Sequence, residues 1–86
     1  MRKKLEQIVA THGSLLQHVI AVEEMGELQK EVTKFIRGKG NIDHLIEEIA
    51  DVQIMLWQLM VMHEISDEEI EREIEFKIDR TLGGIE

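Results

Sequence analysis

Cysteine is absent, so neither a disulfide nor a thiolate metal site can hold this chain together. Proline is absent too, which removes the strongest helix breaker. Tyrosine is missing, and one Trp and two Phe are the whole aromatic content. Stacking on nucleobases therefore has little to draw on. Positive charge is scarce: 10 Lys and Arg against 18 Asp and Glu leave a formal charge of −8. That balance argues against a nucleic-acid polymer as partner, because binding a phosphate backbone rests on basic residues. It does not exclude a single nucleotide held through a cation, since a bound metal reverses the local sign. No apolar run reaches the roughly 20 residues a bilayer needs. The longest, Val52 to Met62, is interrupted by Gln53 and Gln58. Met1-Arg2-Lys3-Lys4 is followed by Leu5-Glu6-Gln7 instead of an apolar segment, so no signal peptide is read there. The expectation is a cytoplasmic protein with no membrane contact, a single domain over residues 1–86.

What is present favours helix: Glu, Leu, Ile, Met and Lys dominate. The patterning predicts an all-α fold with a short N-terminal helix and three longer ones. Arg2 to about Thr11 carries Leu5, Ile8 and Val9 on one side, and His12-Gly13 ends it. Ser14 then reads as an N-cap with Gln17 in the capping-box position. The second helix is predicted from Leu15 to about Arg37, with apolar residues at spacings of three and four. Arg37-Gly38-Lys39-Gly40-Asn41 is a turn by composition. Asn41 or Asp43 caps a third helix over Ile42–Met62, with Leu45, Ile46 and Ile49 inward. Its second half is apolar nearly all round and must be covered on every side. A domain this small buries only about 60–65% of its unfolded surface. A four-helix-bundle-like core completed by oligomerisation follows, as a homodimer or homotetramer. Ser66 and Glu69 form a second capping box, and the fourth helix carries Ile70, Ile74 and Ile78 before Gly83-Gly84 ends it.

Two acidic runs stand out: Glu23-Glu24-Met25-Gly26-Glu27 and Glu47-Glu48-Ile49-Ala50-Asp51. Residues three apart share a helix face. Glu24 with Glu27, and Glu48 with Asp51, can therefore converge if their helices pack side by side. Both runs are embedded in apolar sequence, where acids are seldom found unless paired or metal-bound. An all-carboxylate set suits Mg²⁺, or Mn²⁺ on the same ligand chemistry, better than zinc. A di-iron carboxylate bundle needs Glu-x-x-His twice. None of His12, His18, His44 or His63 has an acid three residues before it. Mg²⁺ usually shares its shell with substrate phosphates, which points to phosphoanhydride chemistry.

Glu23-Glu24-Met25-Gly26-Glu27-Leu28, followed by Glu47-Glu48-Ile49-Ala50-Asp51-Val52, resembles the MazG-like all-α nucleoside triphosphate pyrophosphohydrolases. Their pattern is Glu-Glu-x-x-Glu, then Glu-x-x-Asp. The similarity extends from about Gln17 to Arg80 and includes the apolar run after Asp51. The resemblance implies that Glu24, Glu27, Glu48 and Asp51 bind Mg²⁺. It further implies hydrolysis of a (deoxy)nucleoside triphosphate to monophosphate and pyrophosphate, in nucleotide-pool housekeeping. Glu23 or Glu47 would accept the proton of the attacking water. Lys77 and Arg80 would contact phosphate, although Asp79 stands where the family typically has asparagine. Gln17 or His18, nearly two turns before Glu24, would line the base pocket. Trp57 reads as core or interface, and Lys30 and Lys34 as solvated. The competing expectation is a non-enzymatic acidic helical adaptor, or a nucleotide-binding protein, acting through the apolar Val52–Met62 surface.

Overall fold

The computed structural model describes residues 1–85, which form four helices: α1 (Arg2–His12), α2 (Ser14–Ile36), α3 (Ile42–Met62) and α4 (Asp67–Ile85). A single residue parts α1 from α2. Gly13 takes φ 86°, the left-handed region that glycine reaches without strain. Its carbonyl already accepts the Gln17 N–H at 3.1 Å, so the helix begins one residue earlier than the sequence suggested. Ser14 is therefore not the cap: no side chain caps α2, and the predicted Ser14 capping box does not form.

The other boundaries follow their local chemistry. Gly38, at φ 74°, closes α2. Its N–H donates to the Phe35 carbonyl at 3.1 Å and the Lys39 N–H to the Lys34 carbonyl at 2.8 Å, a Schellman-type ending. Gly40 lies so close to the Phe35 ring that a Cβ there would collide with it. Of the two candidate caps for α3, Asn41 serves: its Oδ1 accepts the His44 N–H at 3.1 Å, and Asp43 sits in the first turn. The Ser66–Glu69 box forms in both directions. Glu69 N–H donates to Ser66 Oγ at 3.1 Å, and Ser66 N–H donates to Glu69 Oε1 at 3.2 Å. Gly83-Gly84 does not stop α4, which continues to Ile85. Neither glycine takes the positive φ that a helix-ending glycine uses.

The short Arg37–Asn41 connection folds α3 back along α2, and α1 lies against both. The antiparallel register is visible in three crossings: His18 meets His63, Glu24 meets Asp51, and Glu31 meets His44. Leu5, Ala21, Val52 and Met55 are the buried apolar side chains, accompanied by buried Gln17, Glu31 and Gln58. Glu48, Val52 and Met55, at spacings of four and three, set the inward face of α3. That rotation leaves Ile46 and Ile49 exposed, contrary to the sequence expectation, while Leu45 is half-buried. Helix α4 has no buried residue, and its backbone makes no close approach to the other three helices. It walls an open apolar groove of about 570 Å³ with α3, lined by Leu56, Trp57, Met60, Ile70 and Ile74 among others. No described helix is long and apolar enough to cross a membrane.

Candidate metal centre

Antiparallel pairing of α2 with α3 puts the middle of one helix beside the middle of the other. Glu24 of α2 thereby faces Glu48 and Asp51, which share one side of α3. One carboxylate oxygen from each lies within 4.8 Å of the other two. Glu24 and Glu48 are half-buried and Asp51 is exposed. Partial burial pushes the Glu24 carboxyl above its usual range, and the neighbouring Asp51 and Glu48 charges push it further. The close approach of the Asp51 carboxyl group adds to this, as does the Glu27 charge. Glu48 is raised for the same kind of reason: partial burial first, then the charges of Asp51, Glu27, Glu31 and Glu47. Its Oε2 is an inaccessible oxygen with no hydrogen-bond partner.

The arrangement is an oxygen-rich, electron-rich cluster whose members repel one another. A proton relieves one pair. A hard cation would relieve all three, and would give the orphaned Glu48 oxygen a partner. The donor set, all carboxylate, fits a divalent ion of the Mg²⁺ or Mn²⁺ kind.

Three of the four sequence-predicted ligands therefore meet. Glu27 stands at the edge, close enough to raise Glu24 and Glu48, with its carboxylate 3.5 Å from Lys30 Nζ. Glu23 and Glu47 are both exposed beside the cluster. Gln17 is buried. His18 has both ring nitrogens engaged, Nδ1 at 2.7 Å from the Ser14 carbonyl and Nε2 at 2.8 Å from His63 Nε2. Lys77 and Arg80 are exposed on α4, whose backbone makes no close approach to the site helices. Arg80 lies 5.7 Å from the centre of the Phe76 ring.

One participant escaped the sequence reading. Glu31 is 8% exposed and its charge bears on Glu48. Lys34 Nζ donates to its Oε2 at 2.9 Å, and His44 Nδ1 lies 3.7 Å from its Oε1. The signal was available: Glu24, Glu27 and Glu31 fall on one α2 face at spacings of three and four. Beside this face, Gly26, Lys30, Lys34 and Arg37 help line a shallow groove of about 280 Å³. A Cβ at Gly26 would meet nothing, so the glycine serves no close helix approach and leaves that groove open. Comparison with family models, with curated proteins and with solved structures finds no match to this chain.

Proposed function

We propose that the chain is a Mg²⁺-dependent nucleoside triphosphate pyrophosphohydrolase of the MazG-like kind, with Mn²⁺ as an alternative ion. The observation that carries the reading is the meeting of Glu24, Glu48 and Asp51 across two helices, with a buried Glu48 oxygen left unpartnered. Solvated acids on a helix surface spread apart. These three meet, and Glu24 and Glu48 are held above their usual range.

In this reading Glu24, Glu48 and Asp51 hold the ion, with Glu27 completing the set once it leaves Lys30. The ion supplies Lewis-acid polarisation of phosphate oxygens and a water made more acidic. Glu23 or Glu47, exposed and free of the cluster, takes the proton of the attacking water. Lys30, Lys34 and Arg37 stand along the adjoining groove, where their charge would favour a triphosphate tail. With His18 engaged by Ser14 and His63, Gln17 is the remaining base-side candidate. Lys77 and Arg80 reach phosphate only if α4 docks on a site helix, its own or a partner's.

The assembly belongs to the same proposal. The accessible surface is 6786 Å². A 10.0 kDa monomer is expected to expose about 5,200 Å². The excess, about 1,500 Å², exceeds the roughly 800 Å² per partner of an ordinary stable interface. The radius of gyration is 15.6 Å, against about 12 Å for a compact chain of this length. A second copy covering the α3–α4 groove accounts for both. The same groove is what an adaptor would use, so ligand response separates the two readings.

The test is pyrophosphate release from a panel of nucleoside triphosphates with Mg²⁺. Glu24→Gln and Asp51→Asn should each lower turnover by about 100-fold or more, the scale of losing a charge-stabilising group, with helicity by circular dichroism unchanged. Turnover equal to wild type in either variant would discard the assignment.

A further inference from the structure

Lys and Arg number 10 in a chain of formal charge −8, and three of them stand together on α2. Lys30, Lys34 and Arg37 follow one another at spacings of four and three, so they share a helix face. Glu24, Glu27 and Glu31, at spacings of three and four, share another. With 3.6 residues per turn, each set fills a stripe about 60° wide, and the stripe centres lie about 90° apart. The acidic stripe supplies Glu24 to the carboxylate cluster. The basic stripe beside it lines the groove of about 280 Å³ that Gly26 leaves open.

Two of the three cations are held by acidic neighbours. Lys30 Nζ lies 3.5 Å from the Glu27 carboxylate, and Lys34 Nζ donates to Glu31 Oε2 at 2.9 Å. Arg37 is exposed and makes no ion pair among the described residues. Lys30 and Glu27 are both exposed, and an ion pair at the surface holds its partners weakly. Glu27 also works in two directions: its carboxylate rests on Lys30, while its charge bears on Glu24 and Glu48. When Glu27 turns to complete an ion site, Lys30 loses its partner and its ammonium group faces the groove.

From Lys30 to Arg37 the basic stripe runs about 10 Å along the axis, at 1.5 Å per residue. That is longer than a single phosphate group and suits a chain of them. The negative end of the α2 dipole opposes an anion there, but the start of α3 lies alongside and offsets it.

We propose that Lys30, Lys34 and Arg37 form a track for a phosphate chain, opened by the passage of Glu27 from Lys30 to the ion. The ligand is a polyphosphate chelated to the divalent ion, either inorganic or at the end of a nucleoside triphosphate. The track rests on the pyrophosphohydrolase reading for the ion and deepens it by naming what the site measures. It reads the length of the phosphate chain. The base adds little, since one Trp and two Phe are all that could stack on it.

Isothermal titration calorimetry on the full chain tests this with inorganic tripolyphosphate, which carries no base and reports binding apart from turnover. Mg²⁺ should tighten tripolyphosphate binding by about ten-fold or more, within the usual range for coupled ligands. Lys30→Gln/Lys34→Gln should weaken the Mg²⁺-loaded complex by about ten-fold or more, the scale of a hydrogen bond to a charged group. Lys3→Gln/Lys4→Gln removes the same charge from α1 and should bind as wild type does. Glu27→Gln should tighten the ion-free complex and shrink the Mg²⁺ effect. A non-hydrolysable nucleoside triphosphate should bind about as well as tripolyphosphate, and a nucleoside monophosphate far more weakly. Equal affinity with and without Mg²⁺ overturns the proposal, as does a Lys30→Gln/Lys34→Gln variant that binds like Lys3→Gln/Lys4→Gln. A monophosphate that binds as tightly as the triphosphate also overturns it. Tripolyphosphate binding in the expected pattern without pyrophosphate release keeps the track and loses the enzyme; hydrolysis without that pattern does the reverse. Should the lysine variant lose helicity, the wild-type Mg²⁺ and chain-length effects still decide.

Discussion

A glutamate's neighbours determine what it does for stability, and this chain shows both signs. Glu24 and Glu48 have folded-state acidities shifted upward from 4.5, so the native state holds protons that the unfolded chain has released. Their contribution favours folding as pH falls toward 4.5 and opposes it as pH rises through their raised values. Glu69 runs the other way. The Ser66 N–H and hydroxyl hold its carboxyl below 4.5, so its contribution is present above 4.5 and lost as pH falls through its folded value. Without divalent ions, acidifying from neutral toward pH 4.5 should raise the melting temperature of the wild type. The Glu24→Gln/Glu48→Gln double variant should melt higher at neutral pH and lose that component of the slope. A double variant melting lower at pH 7 would show that the two carboxylates are already compensated. Glu24, Glu48 and Asp51 were legible in the sequence because helix periodicity fixes which acids share a face. Glu31 was legible only as a further position on the Glu24–Glu27 face; its burial was not, because that depends on how α3 packs against the face.

At the scale of elements, the helix boundaries were legible wherever a single side chain or glycine decides them. Asn41, Ser66 with Glu69, and Gly38 each do a local job that no distant contact modifies. Ser14 failed because Gly13 turns the chain first. Gly83-Gly84 failed because a helical glycine costs only about 1 kcal/mol and ends nothing by itself. Gly38→Ala should destabilise by about 1–2 kcal/mol, the penalty of placing a side chain in the left-handed region. Ser66→Ala should cost about 1 kcal/mol through the lost cap. Urea unfolding measures both, and a neutral Gly38→Ala would mean that α2 ends by other means. The inward faces were less legible. Ile46 and Ile49 looked inward in the sequence, since with Leu45 they make the apolar side of the first half of α3, and only packing against α2 fixes how that helix is rotated.

For the whole molecule, the apolar side chains outnumber the places one chain offers to bury them. Leu56, Ile74, Phe76, Ile78 and Leu82 are all exposed, and the α4 backbone makes no close approach to the other helices. The sequence indicated a shortage of cover around α3 but not that α4 would stand apart, because an Ile stripe says that a face must be buried and not against what. Sedimentation should report a dimer or tetramer, and Ile74→Glu with Leu56→Glu should shift it to monomer with a lower melting temperature. A wild-type monomer at micromolar concentration would leave the exposed groove unexplained. The metal reading, by contrast, rests on the α2–α3 hairpin alone. The most direct measurement is the melting temperature with and without Mg²⁺ and a non-hydrolysable nucleoside triphosphate. A ligand that binds only the folded state raises it, by an amount that grows with ligand concentration. The wild type should show the rise and Asp51→Asn should not. No rise in the wild type, or an equal rise in Asp51→Asn, would contradict the account.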